Sequence, residues 1–453
     1  MVRRPTAVAS KRPDSIGADL QQRSLVALVL FVPIVVTFLY VRAFAVELPF
    51  QDDWDFIVPH VQDLATGQLS WSDINVQHNE ALVLLPEVVM LVLARVSGYQ
   101  LIVGIYANYL FVCGCLIILF LFFRLLRLPG RWSTLWFLPV SLLFMGWRQS
   151  DSLLWSTMLS QSMALFFALS ALYCCTQAYR IRAFFPLAVL AGWSASFSLP
   201  SGLFVWPLGA IYFAVAGLKK GWAEQAIRYI AGWLVFGGIC GALFILDHRP
   251  HIVPWPVGLA FVFAHPIEAA QYVSIYLGSP LSSTPNEALY TGFIFVLLAL
   301  PALFFALRLA REIDGVLAAL LLPAYVGIAL GPLLYSRFGL GVEQGFTSRY
   351  VMTGVLAPTG IYFCLLALMR PAIECRYLVS ALLVLLVSGI LHAYPFGLRE
   401  GRQEWSNRTN CARVIRNFRE SEPRQFLCAY PDPAIVLQRV PGMEANKLSL
   451  FRK

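Results

Sequence analysis

Apolar runs long enough to cross hydrocarbon recur from residue 24 to residue 394, and that recurrence leaves few folds open. A chain in lipid must satisfy every backbone N–H and C=O internally, so only helices and closed barrels span a membrane. Barrel strands alternate apolar and polar residues over about ten positions, and these runs do not. The composition agrees: 58% of residues are hydrophobic and 13% charged, with a mean hydropathy of +0.69, where soluble domains carry roughly 25% charge. The sequence predicts an all-α polytopic membrane protein.

Spans are expected near 24–44, 100–123, 133–147, 153–176, 183–199, 200–217, 226–246, 289–309, 315–335, 350–369 and 377–394, about eleven transmembrane helices. The 133–147 run is short for roughly 30 Å of hydrocarbon. Residues 183–217 read either as two short helices meeting at Ser198-Leu199-Pro200-Ser201-Gly202 or as a re-entrant hairpin. Basic residues set the orientation. Arg3, Arg4, Lys11, Arg12 and Arg23 precede the first span, and Arg124, Arg127, Arg131, Arg180, Arg182, Lys219, Lys220, Arg308, Arg311, Arg370 and Arg376 recur at every second connection. The positive-inside rule places these in the cytoplasm. The net charge of +9 is largely this topology plus a basic tail, so no nucleic-acid partner is implied.

Three parts follow: a cytoplasmic segment 1–23, a transmembrane domain 24–394 whose first external loop is 45–99, and an external tail 395–453. Counting 81–95 as a span would put the Arg124–Arg131 cluster outside, and fifteen residues reach only about 22 Å. This run is therefore read as an interfacial helix with Glu87 facing protein or water. In the tail, Trp405, Cys411, Val414, Ile415 and Phe418 have helical spacing. Gln425–Tyr430 and Ala434–Val440 look strand-like around Pro431-Asp432-Pro433, giving a small α/β extramembrane tail. Cys411 and Cys428 are positioned to pair in an oxidising compartment. The first apolar core, Leu25 to Val41, is longer than a signal-peptide core and reads as an uncleaved anchor. No Walker lysine motif or Gly-rich strand-to-helix turn is present, which argues against ATP-driven transport by this chain alone.

The outer-side polar residues fall in two places. The first loop holds Asp52, Asp53 and Asp55, then Gln77-His78-Asn79-Glu80 before the interfacial helix. The late connection 335–350 carries Arg337 and Arg349. Carboxylates near hydrocarbon are costly and raise one another's pKa, so such clusters bind cations or move protons. Acids and a histidine in one place and two arginines in the other make a base-and-anion-clamp inventory.

Several short motifs, in this order, resemble bacterial integral-membrane glycosyltransferases of the GT-C superfamily. They are Asp52-Asp53-Trp54, His78-Asn79-Glu80, Leu153-Leu154-Trp155 with Gln161, Ser201-Gly202-Leu203-Phe204-Val205-Trp206-Pro207, and Arg337-Phe338-Gly339 with Ser348-Arg349-Tyr350. The resemblance covers roughly 24–394. It implies transfer of a sugar from a polyprenyl-phosphate donor to a cell-envelope glycan or lipid acceptor, at the periplasmic face of the bacterial inner membrane. By position, Asp52 or Asp53 would be the base or a metal-binding acid, and Arg337 and Arg349 the donor-phosphate clamps. His78 and Glu80 read either as catalytic groups or as a polar helix start. Gly278-Ser279-Pro280, with His265 and Glu268, reads either as part of an acceptor groove or, by preference, as a shaped loop, and Trp54, Trp71 and Trp255 either as stacking surfaces for sugars or, by preference, as interface tryptophans. Some members of the superfamily use a divalent metal such as Mg or Mn and others do not. The competing readings are a transporter or flippase of lipid-linked sugars, and a polysaccharide polymerase or ligase.

Overall fold

A computed structural model of the chain describes residues 13–74, 82–246, 255–310, 312–369 and 374–452. Helix α1 (Pro13–Phe44) leads into a loop carrying α2 (Ile57–Thr66), the single turn α3 (Trp71–Ile74) and α4 (Leu84–Ser97). The next helix, α5 (Leu101–Leu125), is capped from a distance: the Glu47 carboxylate accepts the Leu101 and Ile102 N–H groups at 2.8 and 3.1 Å. Its charge complements the positive end of the helix dipole. A broken stretch follows, with a 3-10 segment Ser133–Phe137, α6 (Leu138–Phe144), a 3-10 turn Trp147–Gln149 and α7 (Ser150–Leu154). Then come α8 (Leu159–Ala178), α9 (Phe184–Ser196), α10 (Val205–Lys219), α11 (Ala223–Leu246), α12 (Trp255–Ala264), α13 (Pro266–Gly278) and α14 (Pro285–Leu309). The last group is α15 (Asp314–Arg337), α16 (Ser348–Gly354), α17 (Leu356–Leu368), α18 (Glu374–Arg416) and α19 (Pro433–Ala445).

Among the described residues, 9 helical segments are long and apolar enough to cross a membrane, so the chain is an all-α polytopic membrane protein. Two expected spans, 133–147 and 183–199, fall below that length, yet both travel along the bundle. Thr134 accepts from the Gln22 amide at 2.9 Å near the start of α1, the Met145 carbonyl accepts from Thr37 at 2.7 Å, and Trp147 stacks on Tyr40 at 4.9 Å. The segment runs beside α1 over these contacts, and its 3-10 part, rising about 2.0 Å per residue against about 1.5 Å, recovers some of the length that its fewer residues lack. Residues 183–217 form two helices, α9 and α10. Between them Gly202 lies so close to the Ala195 carbonyl that a Cβ would sit 2.0 Å from it.

The basic connections share one end of the bundle. Arg127, Arg180, Lys219 and Lys220 surround one hollow with Glu312 and Asp314, and Lys219 pairs with Asp314 at 2.8 Å. At the opposite end the first loop packs on the tail: Trp54, Ile57 and Val58 share a buried cluster with Phe426, Val436, Val440 and Met443. The 81–95 run is helical from Leu84, and Glu87 faces protein: its carboxylate, 1% exposed, pairs with His60 of α2 at 2.5 Å. Burial raises the Glu87 carboxyl above its ordinary range, and the His60 imidazole offsets only part of that rise.

Two features of the tail correct the sequence reading. Helix α18 runs 43 residues straight through Pro395, so no break falls at that boundary. The strand-like segments are helical: Pro423–Cys428 is a 3-10 turn, and Ala434–Val440 lies within α19. Asp432 decides the second, because its side chain accepts the Ala434 N–H at 2.9 Å and Pro433 follows at the first helical position. Cys411 and Cys428 form a disulfide. It anchors the turn whose next residues hold the first loop, since the Ala429 carbonyl accepts the Gln51 N–H at 2.8 Å and the Tyr430 hydroxyl donates to Asp55 at 2.9 Å. Closing a loop of this size contributes on the order of 3 kcal/mol. Cys428→Ser is therefore expected to lower the melting temperature of the purified protein, and a reductant to reproduce that loss only in the wild type.

Candidate active site

The 3-10 turn Gln51–Asp53 is held from three sides. The Trp54 ring is wholly buried and donates through Nε1 to the Pro49 carbonyl at 2.8 Å, the Asp52 carbonyl accepts the Phe56 N–H at 3.0 Å, and Ala429 holds the Gln51 N–H. The turn separates its two aspartates. Asp52 is half-buried and lines a cavity of about 300 Å³, whereas Asp53 is wholly buried and lines none of it. Asp53 accepts from the Thr157 hydroxyl, the Trp155 indole at 3.2 Å and the Phe50 N–H at 2.8 Å. Burial outweighs these three donors, and the carboxyl is pushed up to about 7.

The folded protein thus holds the Asp53 proton more tightly than the unfolded chain does. Its stability contribution is fully present below about pH 4 and is lost as pH rises through about 7, a swing on the order of 4 kcal/mol. Asn is the neutral isostere: its oxygen can accept from Trp155 and Phe50 while its amide donates to Thr157. Melting temperatures of wild type and Asp53→Asn are expected to lie closest below about pH 4 and to diverge steadily up to about pH 7, with the variant the more stable. Parallel curves across that range would show that Asp53 stays ionised.

Arg337 is the last residue of α15, and Arg349 the second of α16. The connection between them is two 3-10 turns, joined at Gly341 with φ of 113°, a conformation suited to glycine. Phe338 anchors it, buried against Tyr272 and Phe261. Both arginines line the cavity that Asp52 lines, although they lie almost three hundred positions from it in the sequence. The Arg349 carbonyl accepts from the Gln161 amide and from Ser152 at 3.3 Å, and its guanidinium lies 5.3 Å from the Tyr350 ring. Its Nε is buried without a hydrogen-bond partner. Among the described residues neither arginine pairs with a carboxylate. The remaining wall includes Leu165, Leu199, Phe204, Ala329 and Leu333, so cationic and hydroxyl-bearing groups share the cavity with an apolar lining.

A second network, absent from the sequence reading, braces the arginine connection. Arg148, 2% exposed, donates to the Phe346 carbonyl at 2.5 Å, lies 3.8 Å over that ring and sits 3.9 Å from Glu400. Asp151 accepts from the Ser348 hydroxyl and lies 3.4 Å from Arg408. Arg408 also reaches Glu404 at 3.2 Å and the Leu154 carbonyl at 2.9 Å, and covers the Phe50 ring at 4.3 Å. One sequence signal existed: Glu400, Glu404 and Arg408 follow at four-residue spacing on one helix face.

The other candidates fall differently. His78 and Glu80 lie outside the described residues. The Ser279 hydroxyl donates to the Phe346 carbonyl at 3.4 Å, and the His265 ring contacts the Phe261 carbonyl at 3.0 Å. A divalent cation shared by Asp52 and Asp53 does not fit the side chains as they lie, because Asp52 lines the cavity whereas Asp53 is wholly buried outside its lining, with both oxygens accepting internal hydrogen bonds. No group of three His, Cys, Asp or Glu suited to a metal exists among the described residues. Compared with known proteins, the chain matches no family model and no curated sequence.

Proposed function

We propose that the protein is a GT-C type glycosyltransferase that moves a sugar from a polyprenyl-phosphate donor to a cell-envelope acceptor, at the periplasmic face of the bacterial inner membrane. The observation that carries this reading is the pair of unpaired guanidiniums, Arg337 and Arg349, facing one cavity with Asp52 beside an apolar wall. A lipid phosphate needs positive charge at a low-dielectric boundary, and its chain needs apolar lining. Asp52 takes the proton of the acceptor hydroxyl, whose oxygen attacks the anomeric carbon of the donor sugar. The bond from that carbon to the phosphate oxygen breaks, and the phosphate leaves with the electron pair, held by Arg337 and Arg349. Among the described residues the buried charged side chains are Asp53, Glu87, Arg148 and Arg408, all in elements at the Asp52 end. A transporter would carry such groups near the bilayer midplane.

Purified protein given undecaprenyl-phosphate sugars and an envelope-glycan extract is expected to release undecaprenyl phosphate. Absence of release across the panel, with folded protein, would overturn the assignment. Orientation has its own test. Cysteines introduced as Gln68→Cys and Arg424→Cys, both at exposed positions, are expected to react with an impermeant reagent applied from the periplasmic side, and protection of both would reverse the topology.

A further inference from the structure

A second hollow, of about 500 Å³, lies on the other side of the Gln51–Asp53 turn, and nothing in the transfer chemistry above uses it. Its floor is one face of α18, where Glu404, Asn407, Cys411 and Val414 recur at three- and four-residue spacing with Asn410 alongside. Gln51 comes from the turn, and Gln425 from the tail beside the disulfide. The lining is rich in amides. Among the described residues the side chains of Gln51, Asn407 and Asn410 form no hydrogen bond within the protein, and Gln425 uses only its oxygen, on the Glu422 N–H at 2.8 Å. The two charged members offset each other, because Glu404 pairs with Arg408, each of whose three nitrogens already donates once within the protein, to Glu404, the Leu154 carbonyl and Asp151.

We propose that this hollow is the acceptor subsite and that the acceptor is a neutral glycan, an inference that rests on the glycosyl-transfer reading. Each amide offers two donors and two acceptor lone pairs, and each sugar hydroxyl one donor and two acceptors, so the two chemistries pair without charge. A volume of about 500 Å³ is within the range of small-ligand sites. The hollow's apolar lining, from Phe50, Val414 and the disulfide, is small beside that of the arginine cavity, and among the described residues its one cation, Arg408, is already paired with carboxylates. Gln51 ties it to the chemistry. This residue has φ of 50°, a left-handed conformation that is uncommon for any residue but glycine, and such strain concentrates at functional sites. The consequence is that consecutive residues line different cavities, Gln51 the amide hollow and Asp52 the arginine cavity. A glycan bound along the amides presents its terminal hydroxyl around this turn, where Asp52 takes the proton and the oxygen displaces the lipid phosphate.

The test uses the full chain in detergent on an array of neutral and acidic oligosaccharides, with undecaprenyl phosphate binding measured separately. The wild type is expected to retain neutral oligosaccharides. Asn407→Ala with Asn410→Ala is expected to weaken that retention at least about tenfold, as for two lost hydrogen bonds. Both positions are exposed, and an unchanged melting temperature establishes that the double variant is folded. Wild-type protein that binds undecaprenyl phosphate but no neutral oligosaccharide, or a folded double variant that binds glycans as the wild type does, overturns the acceptor assignment and leaves the donor reading standing. Glycan binding without any undecaprenyl phosphate binding supports the hollow as a glycan site and removes the donor reading instead.

Discussion

Replacing Asp52 with asparagine is expected to lower turnover by about 10²- to 10⁴-fold, the range a general base contributes. The amide keeps the size of the side chain and removes the charge and the basic lone pairs. Little else should change, because only the backbone of Asp52 is engaged within the protein, through the Phe56 N–H at 3.0 Å. Donor binding, which rests on the arginines, should stay close to normal, so the loss should appear in kcat rather than in KM. Asp53→Asn is the contrast. Its side chain is enclosed by Thr157, Trp155 and Phe50 and lines neither the arginine cavity nor the amide hollow, so its effect should be on the pH dependence of stability. Phosphate release by Asp52→Asn at the wild-type rate, with a large loss in Asp53→Asn, would invert the assignment of the two residues.

The choice between these aspartates shows where the sequence stops being legible. Hydrophobic runs determine a helical bundle because lipid leaves the backbone no alternative. The basic connections meet at one end because successive spans return the chain to the same side at every second connection. The convergence of Asp52, Arg337 and Arg349 was readable from residue type and side of the membrane, since unpaired charge at that boundary has few uses. Which of two adjacent acids faces the cavity depends instead on a left-handed Gln51 and a buried Trp54, and neither leaves a pattern in composition. The tail misled for another reason. Ala434–Val440 is rich in branched apolar residues, which suit strands, but Asp432 and Pro433 supply a helix start that local propensity does not outweigh. The brace formed by Arg148, Asp151 and Arg408 joins positions up to 257 residues apart, and single-sequence reading has no term for such pairs.

The largest effect on donor affinity is expected from removing both guanidiniums. Arg349→Ala alone deletes one charge-assisted contact to phosphate, worth about 1.5–3 kcal/mol, or roughly a 10- to 150-fold loss in binding of undecaprenyl phosphate. Arg337→Ala should act similarly, since both line the same cavity without a carboxylate partner among the described residues. The double variant should lose more than either single one, with turnover falling as well, because charge on the departing phosphate grows in the transition state. Arg349→Lys should restore only part of the loss. Lysine supplies the charge but not the planar fork that engages two phosphate oxygens together. A simple need for positive charge predicts full rescue by lysine, whereas a bidentate clamp predicts a residual defect in both affinity and kcat. Undecaprenyl phosphate bound equally well by the wild type and by a folded double variant would place the donor phosphate elsewhere and remove the arginine cavity from the mechanism.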